Sequence, residues 1–494
     1  VLTQIKVIGV ISLLLICFVM ACDCGKDTTK SPNDTPTEIV VDSFVIEEIR
    51  DASTLDIDVI EDWHLDSFGG QTYQKLIEIT VTEWWTGEIF RVPVRMVSPA
   101  DGATGFVITG GTIDVDGDQV PGELEQALLG NAVGVVYTQV QSLNEYRPNL
   151  EAEMFGYFLE AGDMRYTPAW IWGMIEMRAI TAVLEETEHF SPGKIGAFGY
   201  SKNGFAPAVA LIQDDRVSAI LAENAPAYVS PLRVFEPEAV AAIKSANEWF
   251  FGALESGEID PGEHSSNWYS WNVYGTTGAD LDDLARQAGW SDAEILWAAK
   301  EMWGEVIVSE NWDQIMARNA KVLYIAGTHD WVLYDILWGA QNHPEVPILY
   351  EPNGGHSQIP HSQSPMIDQT REAFFMNHFF GGPPLLEPPA SSWEIIGDEL
   401  HVTVRFENGP QPETGRIFWI HDRYPGGSAP YLWEMIPEEQ TLEMTFDPGG
   451  LAWTVAVPLD PEASTIEFFT NHGLNVGEDN VFHLSSRYTQ VVLD

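Results

Sequence analysis

Cysteine is confined to the first two dozen residues. Cys17, Cys22 and Cys24 are the only three in the 494-residue chain. The folded part therefore offers no disulfide, no thiolate metal ligand and no cysteine nucleophile. Basic residues are also scarce: 24 Lys and Arg stand against 74 Asp and Glu, a formal charge of −50. Such a surface repels phosphate backbones and anionic headgroups, so no nucleic-acid partner is expected. No histidine pair has the spacing of a zinc-binding helix, and no glycine loop has nucleotide-binding form. No cofactor or metal is expected.

What is present suffices for a large core. Hydrophobic residues make up 45% of the chain and aromatics 11%, and the length predicts one large and one smaller domain. Near the N-terminus, Lys6 precedes an apolar run, Val7 to Ala21, of the length of a signal core and shorter than the ~20 residues of a spanning helix. The run ends in Val19-Met20-Ala21-Cys22, which predicts export as a lipoprotein with Cys22 lipidated. The bacterial cell envelope is the expected location, with membrane contact only through that anchor. Met20 departs from the usual box and leaves ordinary cleavage or an uncleaved anchor open. Residues 1–22 are thus expected to be a signal peptide, and the polar, Pro/Thr-rich segment at 23–43 a flexible tether.

Order is expected from about Phe44. Ile77–Val81, Phe90–Val94, Gly105–Gly111, Val133–Val140, Lys194–Tyr200, Val217–Ala222, Val322–Ala326 and Ile348–Tyr350 read as strands, and Trp170–Glu186 as a helix. Strands alternating with helices predict a mostly parallel sheet covered on both faces. Between Pro231 and Asn319, tryptophan-rich helical patterns predict an insertion over one end of the sheet. Prolines and glycines around 381–389 mark a boundary. Residues 385–494 then alternate (Leu400, Val402, Val404, Phe406) as an all-β, sandwich-like domain, leaving 44–384 as the α/β domain.

One short stretch carries chemistry. Gly199-Tyr200-Ser201-Lys202-Asn203-Gly204 places a serine where a buried strand ends and a small-residue helix begins. In a sharp strand-turn-helix, that serine stands exposed at the sheet's C-terminal edge, and the Lys202 N–H points at whatever it attacks. A helix-capping turn serine is the plainer alternative. Two later strands bear on the choice. One runs into Asp330, the next into His356, giving the order Ser, Asp, His that an α/β-hydrolase sheet requires. Glu223, which follows the strand Val217–Ala222, is an alternative acid, and His361 a competing base. Gly110 or Gly111, after Gly105–Thr109, would supply the second oxyanion donor.

The combination of Ile108-Thr109-Gly110-Gly111, the Gln139/Gln141 strand end, FLEAGD, GYSKNGF, GTHDW and EPNGGH resembles the PhoPQ-activated pathogenicity-related protein family. The resemblance runs roughly from Trp84 to the C-terminus. It implies an exported α/β-hydrolase domain with a β-rich tail, Ser201 as nucleophile, Asp330 as acid and His356 as base. Tyr200, Asn203 and the acidic surface depart from that pattern. Glucuronoyl esterases carry a similar elbow, with Lys202 in their arginine position. The expected activity is serine hydrolysis of a small-molecule or polymer-borne ester or amide; a peptidase on the same triad and a non-catalytic surface protein are the alternatives. Asp114-Val115-Asp116-Gly117-Asp118 has acidic spacing suited to calcium, but Gln119 stands where such loops need glycine, and an acidic surface loop is expected.

Overall fold

The computed structural model describes residues 43–225, 228, 256, 285–298, 303–330, 342–355, 365–423, 435–477 and 480–493. The signal segment, Cys22, nearly all of the tether, most of the expected insertion, His356 and His361 lie outside the described residues.

Strands form where apolar and β-branched residues run together. They are β1 (Asp58–Leu65), β2 (Thr72–Trp85), β3 (Glu88–Pro99), β4 (Ala103–Gly110), β5 (Gly134–Thr138), β6 (Phe190–Tyr200), β7 (Val217–Glu223), β8 (Lys321–Gly327) and β9 (Ile348–Glu351). Among the described residues they make one nine-stranded sheet in the order β1-β2-β3-β5-β4-β6-β7-β8-β9. The first three strands are antiparallel, and every pairing from β5 through β4 to β9 is parallel. Each strand from β4 onward therefore ends at the same edge.

Successive residues of the parallel strands enter opposite layers, as the strand period of two requires. Ile108, Val136 and Ile220 pack with the helices α1 (Pro168–Leu184) and α2 (Lys202–Gln213). Val107, Val135 and Leu221 pack with Leu128 and with Phe374 and Phe375 of α3 (Pro365–Phe380). This is the mostly parallel α/β sheet, covered on both faces, that the sequence predicts. Phe44 is buried, and Arg178 of α1 donates to the carbonyls of Glu48, Ile49 and Asp51.

The C-terminal strands form two antiparallel sheets. One holds β10 (Ala390–Ile396), β11 (Glu399–Arg405), β15 (Ala452–Pro458) and β14 (Thr445–Asp447). The other holds β13 (Thr441–Glu443), β12 (Thr414–His421), β16 (Thr465–Gly477) and β17 (Asn480–Ser485), with β18 (Thr489–Val492) on β16. Their facing residues share one core: Leu400, Val402 and Val404 from the first sheet, Ile417, Trp419 and Phe468 from the second. The same core continues into Leu349 of β9 and into α3, so the sandwich is packed onto the nine-stranded sheet. It also closes that sheet's edge. Ser485 Oγ accepts the Tyr350 N–H at 2.8 Å, and Asn471 Nδ2 donates to the Tyr350 carbonyl at 3.0 Å.

Candidate active site

Ser201 occupies the one-residue corner between β6 and α2. Its backbone sits at φ 57°, ψ −124°, a conformation that costs a non-glycine residue of order 1–3 kcal/mol and persists only where the surroundings enforce it. They do so here. The Ser201 N–H donates to the Glu223 carbonyl at 2.8 Å, and the Ser201 carbonyl accepts from Gly204 and Phe205 at 2.9 Å each. A Cβ on Gly199 would lie 2.1 Å from the Asn203 carbonyl oxygen, and one on Gly204 would lie 2.8 Å from the Gly199 carbonyl oxygen. Both glycines are needed because strand and helix cross in contact. Pro207 lies in the second turn of α2. A proline there withholds a donor from the carbonyl four residues earlier, which is that of Asn203. That carbonyl is the one pressed against Gly199. The Lys202 N–H is at the first position of α2, among the amides that a helix leaves without intrahelical partners.

Gly110 ends β4 directly beside the elbow: a Cβ there would meet Asn203 Oδ1 at 2.5 Å. The Gly111 N–H donates to the Thr138 carbonyl at 3.0 Å. Of the two expected oxyanion donors, Gly111 therefore has its proton engaged within the protein.

Asp330 follows β8 and is fully buried (0% exposed). Its N–H donates to the Gly327 carbonyl at 3.1 Å, closing a tight turn. The turn is tied to the loop after β9, the segment that leads to His356. Thr328 N–H donates to the Glu351 carbonyl at 3.1 Å and His329 N–H to the Gly354 carbonyl at 2.8 Å. Asn353 N–H donates to Thr328 Oγ1 at 2.9 Å. The loops touch so closely that a Cβ on Gly327 would lie 2.2 Å from the Gly354 carbonyl oxygen.

Asn224 joins the same unit, and nothing in the sequence reading singled it out. It is 9% exposed, with φ +47°, in the left-handed region that asparagine tolerates. Its Oδ1 accepts the Gly327 N–H at 2.8 Å, and its Nδ2 donates to the Gly355 carbonyl at 3.1 Å. One amide thus spans the acid-bearing turn and the residue before His356. An asparagine just past a strand is readable as a turn former; its two long-range partners are not.

Glu223 is differently placed. Both of its carboxylate oxygens accept from the Arg371 guanidinium of α3, in a bidentate pair. Burial acts to lower the Arg371 pKa, but the charge and hydrogen bonds of Glu223, together with neighbouring carboxylates such as Asp368, outweigh it and the net shift is upward. Arg371 also holds Asp368 at 2.9 Å. Nearby, burial and then the Glu223 charge push Glu351 up to about 8, so its carboxyl is protonated at neutral pH.

The Asp114–Asp118 loop is organised around an arginine. Arg95 Nη2 donates to the carbonyls of Asp114 and Gly117 at 2.8 and 2.7 Å. Asp118 bonds His64 Nε2 at 2.7 Å and the Ser67 N–H at 2.6 Å. Arg95 thus takes two backbone carbonyls of the loop and His64 the Asp118 carboxylate, and no group of three or more His, Asp or Glu that could hold a metal ion occurs among the described residues.

No protein-family model and no curated protein matches the chain. Among solved structures it is similar to acetyl xylan esterase 1 from a Thermoanaerobacterium species at 12% identity, over 64% of this chain and 89% of that one, with a TM-score of 0.38. A glucuronoyl esterase from Solibacter usitatus is similar at 12% identity, over 61% and 71% of the two chains, with a TM-score of 0.31. Candida antarctica lipase A is similar at 9% identity, over 60% and 75%, also with a TM-score of 0.31. Similarity this low carries no argument about activity, and the functional reading rests on the chain's own residues.

Proposed function

We propose that the chain is an exported serine hydrolase that cleaves a carboxylic ester through an acyl-enzyme. The observation that carries this reading is the strained Ser201 corner, held between Gly199 and Gly204 at the sheet's C-terminal edge with the Asp330 turn on the same edge. A serine that only caps a helix needs no such conformation, because capping residues ordinarily sit in the extended region. In this reading His356 takes the proton from Ser201, whose oxygen attacks the carbonyl. Asp330 fixes the imidazole tautomer and stabilises its charged form. The Lys202 N–H and the loop that starts at Gly110 receive the oxyanion. His356 then protonates the leaving group, and water, activated by the same histidine, releases the acid. Asp330 is favoured over Glu223 as the acid because Arg371 takes both Glu223 oxygens. An ester is preferred to an amide because the fold hosts more esterases, an argument by analogy.

The motifs around Ser201, Asp330 and His356 support kinship with the PhoPQ-activated pathogenicity-related proteins. The apolar run before Cys22 supports export with a lipid anchor on that cysteine. The deciding experiment is fluorophosphonate labelling. The wild-type protein is expected to label at Ser201, and Ser201→Ala to lose the label with an unchanged melting temperature. Labelling of another serine, or none in a folded wild-type protein, overturns the reading.

A further inference from the structure

The sandwich reaches the candidate site through one buried side chain. Arg423 lies two residues past the end of β12, and its side chain is fully buried. One guanidinium nitrogen, Nη2, donates across the domain junction to the carbonyl of Thr328. Thr328 is two residues before Asp330, inside the turn closed by the Asp330 N–H. The other nitrogen donates to Tyr488 Oη at 2.5 Å and lies 3.6 Å from Glu467 Oε2. Glu467 is fixed in turn by Tyr488 Oη at 2.6 Å and Gln490 Nε2 at 3.0 Å. A second contact from the sandwich region lands on the neighbouring loop: Asn353 exchanges two bonds with the Ile436 backbone, at 2.9 and 2.7 Å.

We propose that Arg423 is a positioning residue for the active site, its guanidinium fixing from the sandwich the turn that carries Asp330. This rests on Asp330 being the triad acid. A buried ion pair is a poor device for stability alone, because an apolar group of the same volume avoids the desolvation cost. What the guanidinium adds is direction. A planar, charged donor held by Glu467 and Tyr488 can make a strong, oriented bond to one carbonyl. That carbonyl belongs to the turn whose placement decides how the carboxylate meets the imidazole, and catalysis is sensitive to errors of about 1 Å there.

The test uses the full chain and an activated ester. Arg423→Met is expected to lower kcat about 10- to 100-fold with KM within about threefold, and Arg423→Lys to recover part of the loss. In an Asp330→Asn background, Arg423→Met is expected to cost less than about threefold further, because a residue acting through Asp330 has nothing left to act on. Should Arg423→Met fail to fold, the double variant Arg423→Met/Glu467→Gln removes both buried charges and is read the same way. A folded variant with wild-type kcat, or a loss that adds fully to that of Asp330→Asn, overturns the proposal while the Ser201 label stands. Absence of that label in the wild-type protein overturns both readings.

Discussion

Replacing Asn224 by glycine and by alanine separates geometry from strain. Both changes remove the acceptor of the Gly327 N–H and the donor to the Gly355 carbonyl, two bonds inside a buried junction. Each is worth roughly 1 kcal/mol net, and more if the orphaned group stays dry. Alanine must also hold φ near +47°, at a further cost of about 1 kcal/mol that glycine escapes. We expect losses of roughly 2 kcal/mol for Asn224→Gly and 3 kcal/mol for Asn224→Ala, a sizeable share of a typical 5–15 kcal/mol stability. Differential scanning fluorimetry reads that order. The catalytic consequence is the sharper one. Freed from the Asn224 side chain, the turn after β8 and the loop after β9 keep their mutual backbone bonds, and β7 keeps its backbone bond from residue 224 to the Ile325 carbonyl. What is lost is the direct tie from the end of β7 to Gly327 and Gly355, which sets their placement relative to the Ser201 corner. We expect kcat on an activated ester to fall about 100-fold with KM nearly unchanged, as for a displacement of about 1 Å. A folded Asn224→Gly protein with wild-type kcat would show that Asn224 is a structural filler and refute the reasoning.

Three other outcomes are expected. Asp330→Asn should cost about three or more orders of magnitude in kcat, whereas Glu223→Gln should act on stability, by leaving Arg371 with a weakened buried partner, and cost kcat about tenfold or less; the reverse pattern moves the acid to β7. Gly199→Ala should abolish soluble activity because its Cβ would strike the Asn203 carbonyl, while Gly130→Ala, with no atom within 4 Å of the new methyl, should behave as wild type. Glu176 lies fully buried in α1 with neither carboxylate oxygen hydrogen-bonded among the described residues, and burial holds its pKa well above the ordinary 4.5. The folded state keeps a proton that the unfolded chain releases, so stability should fall as pH rises above about 4.5. Glu176→Leu should flatten that fall and raise the melting temperature at pH 8; Glu351, at about 8, has the same sign and leaves part of the slope.

The sequence showed its sheet clearly where strands are buried on both sides. Val107-Ile108, Val135-Val136 and Ile220-Leu221 each send neighbouring residues into two separate cores, so their strands are unbroken apolar runs. β1 escaped notice because its residues are mostly exposed and show no alternation. The elbow was legible because its constraint is local: Gly199, Ser201 and Gly204 meet within six residues. The partners that define its surroundings are distant. Arg371 pairs with Glu223 across 148 positions and Arg423 reaches Thr328 across 95, and no spacing rule connects them. The acidic run at Asp114 was suggestive for the same reason in reverse. Its local pattern fits a cation, yet the loop is held through its Asp114 and Gly117 carbonyls by Arg95, from a strand that gives no sign of the contact.

The bonds from Ser485 and Asn471 to β9 also set an order of events. Tyr350 waits for partners 135 and 121 residues further along the chain. At 5–20 residues per second, a ribosome needs on the order of ten seconds to supply them. Through that interval the last strand of a nine-stranded sheet presents open backbone groups, a template for pairing with any other extended chain. A gene truncated before β16 makes the interval permanent. Its product would keep an open sheet edge at β9, so the nine-stranded sheet depends on the last strands of the sandwich for its closure.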